Sequence, residues 1–156
     1  MSLYNFITDW KFNAPVENVW KEIHSMDTWP EWWKYVKSVR LVRAGDQDDL
    51  QSIRRITWST ALPYTITFDS ELIFLKPYER IEGNVYGELT GTGTWIFFYE
   101  NNHTHVRYEW RVETTKKWMN LLEPIARPLF KWNHDKVMQA GYEGLQKRLN
   151  VISKPH

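Results

Sequence analysis

The chain has no cysteine among its 156 residues. Disulfide scaffolds, thiolate nucleophiles and cysteine-ligated zinc or iron–sulfur centres are therefore excluded. Glycine and proline are sparse, seven of each, too few for a collagen-like or low-complexity chain. There is no surplus of one charge either: 20 Lys+Arg stand against 19 Asp+Glu, for a formal net charge of +1. Both signs are spread along the sequence, so the basic face of a nucleic-acid binder and the polybasic anchor of a membrane-surface protein are missing. No window approaches the roughly 18 apolar residues of a spanning helix. Met1-Ser2-Leu3-Tyr4 lacks the basic-then-apolar start of a secretory signal. These absences predict a single cytoplasmic domain over residues 1–156, with no nucleic-acid partner and no stable membrane insertion; they leave the oligomeric state open.

What the chain has in quantity is aromatic material: 10 Trp, 8 Tyr and 7 Phe. The mean hydropathy of −0.58 understates its apolar content, because that scale scores Trp and Tyr as polar. Ile, Leu, Val and Phe add 39 residues, enough to take the chain out of the disordered range. A chain of this size buries roughly 68–70% of its unfolded surface, which is a substantial core.

Periodicity divides the chain into three parts. Tyr4, Phe6, Trp10 and Phe12 share one face of a first strand. Ala14-Pro15 then opens a helix whose Val16, Val19, Trp20 and Ile23 fall at i, i+3, i+4 and i+7. Thr28-Trp29-Pro30-Glu31 reads as a capping box for a second, very short helix carrying Trp32 and Trp33. From residue 35 to 114 the period is 2, with strands expected at 36–44, 51–59, 64–76, 79–86, 89–99 and 104–114 and a turn at Ala61-Leu62-Pro63. The clearest alternation is Val106, Tyr108, Trp110 and Val112 against Arg107, Glu109, Arg111 and Glu113. In the third of these strands Tyr64, Ile66, Phe68, Leu72 and Phe74 share a face. Opposite parities of Ile53 and Ile56 point to a bulge at 51–59. After Thr115 the period is helical to about Asn150, kinked or split near Pro124 and Pro128, with residues 153–156 a frayed tail.

This order predicts an α+β fold: a curved seven-stranded antiparallel sheet, two short helices after the first strand, and a long C-terminal helix across the sheet. Gly83, Gly87, Gly91 and Gly93 stand where such a sheet must bend. A bent sheet wrapped on a helix encloses space between them.

Several motifs carry a resemblance: Ala14-Pro15 with Val19-Trp20, Trp29-Pro30-Glu31-Trp32-Trp33, Pro77-Tyr78-Glu79-Arg80-Ile81, Gly91-Thr92-Gly93-Thr94-Trp95, and Asn133-His134 with Met138, Gly141 and Gly144-Leu145. Together with the element order they resemble the START-like (SRPBCC) helix-grip superfamily, and within it the bacterial polyketide cyclase/dehydrase-like group. The resemblance implies a cavity between sheet and long helix that takes a lipid, isoprenoid or polycyclic aromatic. It implies no metal and no nucleotide cofactor. The same grip hosts carriers, sensors and enzymes, so it does not choose among them.

The residues themselves suggest where such a site lies. On a helical wheel Met119, Ala126, Phe130, Val137 and Gly144 cluster, with Glu123, Arg127 and His134 within or beside that stripe. Two readings follow. Either these three polar groups face a wet cavity and hold a ligand's polar end, or Glu123 and Arg127 pair at i, i+4 and His134 bonds the backbone. From the sheet, Trp58, Phe68, Tyr86, Trp95, Phe97, Tyr108 and Trp110 are expected to point inward as ligand-binding residues. Buried indole N–H and phenol O–H groups need partners, which a cavity supplies and a dry core does not.

Other signals are weak. Gly91-Thr92-Gly93 lacks the third glycine and the helix of a dinucleotide fingerprint. His103 and His105 have no third metal ligand nearby. Arg40, Arg43, Arg54 and Arg55 read as solvated or ion-paired sheet residues. The leading expectation is a binding or carrier domain for a small hydrophobic molecule. The alternative is a cyclase/dehydrase-like enzyme with Glu123 or His134 as acid or base and Tyr108 or Arg127 stabilising an enolate. A third reading, a protein-interaction module, would rest on an exposed Trp29–Trp33 patch.

Overall fold

Alternation of apolar and polar residues produces all seven strands marked out above. The computed structural model describes residues 3–60, 65–115, 117 and 121–153, with the side chains of residues 123 and 151–153 left undescribed. The strands are β1 (Leu3–Phe12), β2 (Val36–Arg43), β3 (Ile53–Ser59), β4 (Thr65–Lys76), β5 (Arg80–Gly87), β6 (Leu89–Glu100) and β7 (His103–Thr114). They form one antiparallel sheet in the order β1-β7-β6-β5-β4-β3-β2. The first strand therefore closes against the last, from Leu3↔Glu113 to Phe12↔Thr104. Helix α1 (Val16–His24) and a 3₁₀ segment (Met26–Glu31) link β1 to β2, and helix α2 (Glu123–Ser153) ends the chain.

Three elements depart from the sequence reading, two of them through strand register. The pairing of β3 with β4 is continuous, so the bulge expected in β3 lies in its neighbour β2, whose register shifts between Val36 and Ser38 and again between Leu41 and Arg43. In β4 a third irregularity, between Leu72 and Phe74, reverses the parity of the strand. Phe74 thus turns out to solvent at 41% exposure, and Leu75 turns in to pack on the core. Near Thr28 no capping box forms: the Thr28 hydroxyl donates to the Ser25 carbonyl at 2.9 Å, which tightens the 3₁₀ turn.

The Trp29–Trp33 segment is core rather than a docking patch. Trp29, Trp32 and Trp33 are all buried, and the Trp29 indole donates to the Ile23 carbonyl at 3.0 Å. Trp33 sits among the rings of Trp10, Trp29, Trp58 and Trp95. Its indole N–H reaches α2, donating to the Val137 carbonyl at 2.8 Å.

That contact exists because α2 carries glycine on the facing side. A Cβ at Gly141 would stand 2.5 Å from the Trp33 ring, and one at Gly144 would overlap the Trp32 carbonyl oxygen. Farther along, Arg148 pairs with the buried Glu22 at 3.2 Å and with Glu31 at 3.0 Å. The C-terminal half of α2 is thus fastened to α1 and to the tryptophan segment. The split expected ahead of Pro124 falls at Leu122, which lies in a turn, and Pro128 is accommodated within the helix. The expected turn at 61–63, Tyr64, Met119 and tail residues 154–156 lie outside the described residues.

Candidate functional site

The apolar stripe of α2 does not fill the concave face of the sheet. Between them lies a chamber of about 560 Å³ of atom-free space, counting the solvent at its mouth. Aromatic rings make up much of the lining of this aromatic slot. Trp95 stacks on Tyr108 with centroids 4.0 Å apart and planes 23° from parallel. Tyr108 can lie there because position 93 is glycine; a Cβ at Gly93 would come 2.7 Å from the Tyr108 hydroxyl. On the other side Phe130 and His134 of α2 stack on Trp110, with centroids 6.2 and 5.3 Å away.

The polar groups of this slot are few. Burial pushes the Tyr108 phenol up from its ordinary value, so it stays protonated at neutral pH and is available as a donor. The Trp58 indole nitrogen is buried without a hydrogen-bond partner. His134 is 8% exposed, and neither of its ring nitrogens has a hydrogen-bond partner; Nδ1 lies 3.9 Å from the Asp135 carboxylate, beyond bonding reach. Burial is the main cause lowering the His134 pKa to about 4, with Asp135 opposing it and Lys131 assisting. The imidazole is therefore neutral at pH 7, with one N–H and one lone pair inside an apolar slot.

A histidine buried neutral makes stability depend on pH in a defined direction. Below pH 6.5 the unfolded chain takes a proton that the folded chain refuses until about pH 4. Stability should therefore fall on acidification through that window and level off below it, by on the order of 3 kcal/mol from this group. Burial lowers the pKa of His24 too, and it acts in the same direction. Urea unfolding of the parent and of His134→Leu at pH 7.5 and pH 4.5 separates the two. The pH-dependent loss should be smaller in the variant; equal losses would show that His134 is protonated without cost.

A second chamber adjoins the first, with about 690 Å³ of atom-free space. The two share Trp29, Trp58, Phe68, Trp95 and Tyr108 as a dividing wall of side chains. This chamber lies toward α1 and the 3₁₀ segment and is more polar, with His24, Asp49, Ser52, Arg54 and Ser70 on its walls.

Of the residues that the sequence nominated, the structure brings Trp58, Phe68, Trp95, Tyr108, Trp110, Phe130 and His134 around the first chamber. Others fall elsewhere. Tyr86 points to the outer face of β5, 43% exposed, with its hydroxyl donating to Glu71 at 3.0 Å; the inner positions of that strand are Ile81, Gly83 and Val85. Phe97 is inward and buried but is covered by Trp20, 5.1 Å away. Arg127 is exposed, its guanidinium 4.6 Å above the Tyr4 ring, and it lines neither chamber. The Glu123 side chain lies outside those described. His105 stacks on Phe98, His103 bonds the Asn101 carbonyl, and among the described residues no cluster of three acidic or histidine side chains could hold a metal.

Sequence reasoning missed Trp29, Trp33, Asn133 and Met138 in the first chamber, and His24, Asp49 and Arg54 in the second. Parity carries the signal for Arg54: it has the same parity as Ile56 and Trp58. It is ion-paired as expected, but on the inner face.

Comparison with known proteins places this architecture. A family model described as polyketide cyclase / dehydrase and lipid transport matches residues 8–150. No curated protein sequence matches the chain. Among solved structures, a Thermus thermophilus protein is similar with a TM-score of 0.81 at 18% identity, covering 97% of this chain and 100% of its own. The Zhui aromatase/cyclase of Streptomyces sp. R1128 gives 0.80 at 13% identity, covering 98% and 97%. A START superfamily protein of Mycobacterium smegmatis gives 0.77 at 12% identity, covering 96% and 99%. At these identities the likeness is one of fold: the curved sheet gripping a long helix. Among the described residues no helix is long and apolar enough to cross a membrane.

Proposed function

This chain belongs to the polyketide cyclase / dehydrase and lipid transport family, and from that premise we propose that it binds a small hydrophobic molecule in the chamber beneath α2. The observation that carries the reading is His134: a neutral imidazole with two unpartnered nitrogens, set among aromatic rings. Leaving such a group unsatisfied costs about 1–3 kcal/mol, a cost that a ligand oxygen or hydroxyl removes on entry. The aromatic lining favours an apolar body, polycyclic or polyisoprenoid, whose burial supplies roughly 25 cal/mol per Å² before ordering costs. Phe68, Trp110 and Phe130 would contact that body, with Trp58 and Tyr108 offering donors beside His134.

A second reading is cyclase-type proton transfer. It is favoured by a neutral His134 on α2 and a protonated Tyr108 on β7 lining the same chamber, an acceptor and a donor with no charged side chain in the lining.

Native mass spectrometry of protein purified from its host tests both. The expected result is a co-purifying apolar compound of a few hundred daltons. When it is stripped and titrated back, affinity should fall about two- to tenfold in His134→Leu, the loss of one net hydrogen bond. Chemical alteration of the recovered compound by the parent but not by His134→Leu would establish the catalytic reading. If nothing co-purifies, and a panel of polycyclic and isoprenoid compounds leaves the melting temperature unmoved, the binding reading fails.

A further inference from the structure

The second chamber holds polar groups that the first reading leaves unused. Arg54 is drawn in from β3 and fully engaged on three sides. Its Nε and Nη2 donate to Asp27 at 3.0 and 3.4 Å, and its Nη1 donates to Asp49 at 2.7 Å and to the Ser52 hydroxyl at 3.1 Å. Two carboxylates and one guanidinium leave this cluster with a surplus of negative charge. Above it stands His24, the last residue of α1, its ring stacked on Trp20 with planes 14° apart. Its Nε2 is buried and has no hydrogen-bond partner, and the residue lines the chamber.

We propose that this second chamber is a subsite for a neutral hydroxyl group, held at His24 Nε2, on the ligand whose apolar body occupies the aromatic slot. The proposal rests on the binding reading above and adds the chemistry of the ligand's far end. Three observations select a hydroxyl. An anionic head would meet an arginine whose charge is already answered by Asp27 and Asp49, so it would be repelled rather than held. An ammonium would be drawn by the surplus charge, but Asp27 is not among the lining residues of the chamber, and Asp49, which is, already pairs with Arg54 at 2.7 Å. A neutral alcohol or phenol costs little to desolvate, donates to the imidazole lone pair and can accept from a serine hydroxyl, two of which (Ser52 and Ser70) border the same space. Burial, outweighing the pull of Asp49, keeps the imidazole neutral and its lone pair free. Because the dividing wall consists of side chains, one ligand can span from slot to subsite by displacing a ring rather than backbone.

Calorimetric titration at pH 7 with naphthalene, 2-naphthol, 2-naphthoate and 2-naphthylmethylamine tests this. In the parent protein 2-naphthol should bind about three- to tenfold more tightly than naphthalene, the gain from one buried hydrogen bond. His24→Phe, which keeps a ring against Trp20, should erase that preference while leaving naphthalene affinity within twofold; His24→Leu is the second variant if the first fails to fold. His134→Leu should leave the preference in place. A preference that persists without His24, or a charged analogue ranking first, overturns the subsite and leaves the slot standing. Failure of all four probes to bind overturns the subsite, while the binding reading stands or falls on the co-purification test above.

Discussion

Gly144→Ala should lower the melting temperature by roughly 4–8 °C, although alanine is the better helix former. The two effects oppose each other, and their sizes decide the outcome. Within a helix, glycine to alanine gains up to about 1 kcal/mol. Here, however, the added methyl would overlap the Trp32 carbonyl oxygen, and a backbone atom in a buried segment cannot swing aside as a side chain would. Overpacking of this kind costs about 1–3 kcal/mol and occasionally more, and a backbone clash belongs at the upper end. In a chain of this length each kcal/mol is worth roughly 2–4 °C. Thermal unfolding followed by circular dichroism reads the difference. A variant melting within 2 °C of the parent would mean that the tryptophan segment shifts freely, and that α2 is not fixed by this notch. Gly141→Ala is the informative companion, because it meets the Trp33 ring rather than backbone and should cost less.

Trp33→Ala should lower the melting temperature by roughly 10–15 °C. The side chain is 1% exposed and lies within ring contact of other tryptophans on several sides, including an edge-on contact with Trp58 at 4.9 Å. Truncating a buried Trp costs about 3–5 kcal/mol through lost transfer energy and the void left behind. The Val137 carbonyl loses the indole donor as well. The void would have the shape of an indole, so millimolar indole should restore part of the loss by binding only the folded form. Full rescue is not expected, because free indole pays the cost of immobilisation again. Absence of any destabilisation would show that the rings relax into the gap and that the tryptophan cluster is not closely packed.

The fold was legible because alternation is clean in its last strand and a buried helical stripe follows it. Val106, Tyr108, Trp110 and Val112 alternate without a fault, and their register against β1 and β6 is unbroken. Beyond residue 123 the stripe Ala126, Phe130, Val137 and Leu145 is buried, as a 3.6-residue period requires. Where alternation misled, one inserted residue was responsible: the irregularity between Leu72 and Phe74 turns the rest of β4 over. No composition signal announces such an insertion, because both parities of that strand carry apolar residues.

The site was legible only in part, for a related reason. Inward-facing aromatics can be counted from parity, but parity does not say whether a ring meets a cavity or another element. Phe97 and Trp95 have the same parity; Trp20 covers the first, and the second borders both chambers. Tyr86 looked inward by its chemistry, while its strand places glycine and small aliphatics inside. His24 and Asp49 could not be found from local pattern, since they come from a helix end and a loop that meet β3 only in three dimensions.

The partition between the chambers has an evolutionary consequence. A boundary drawn in rotamers can be redrawn by exchanging one residue, with every strand pairing left as it is. Shortening Trp58 or Phe68 would merge two rooms into a single hall for a longer tenant; a bulkier neighbour would wall one off. In this architecture the shape of the enclosed space can change with no remodelling of the scaffold.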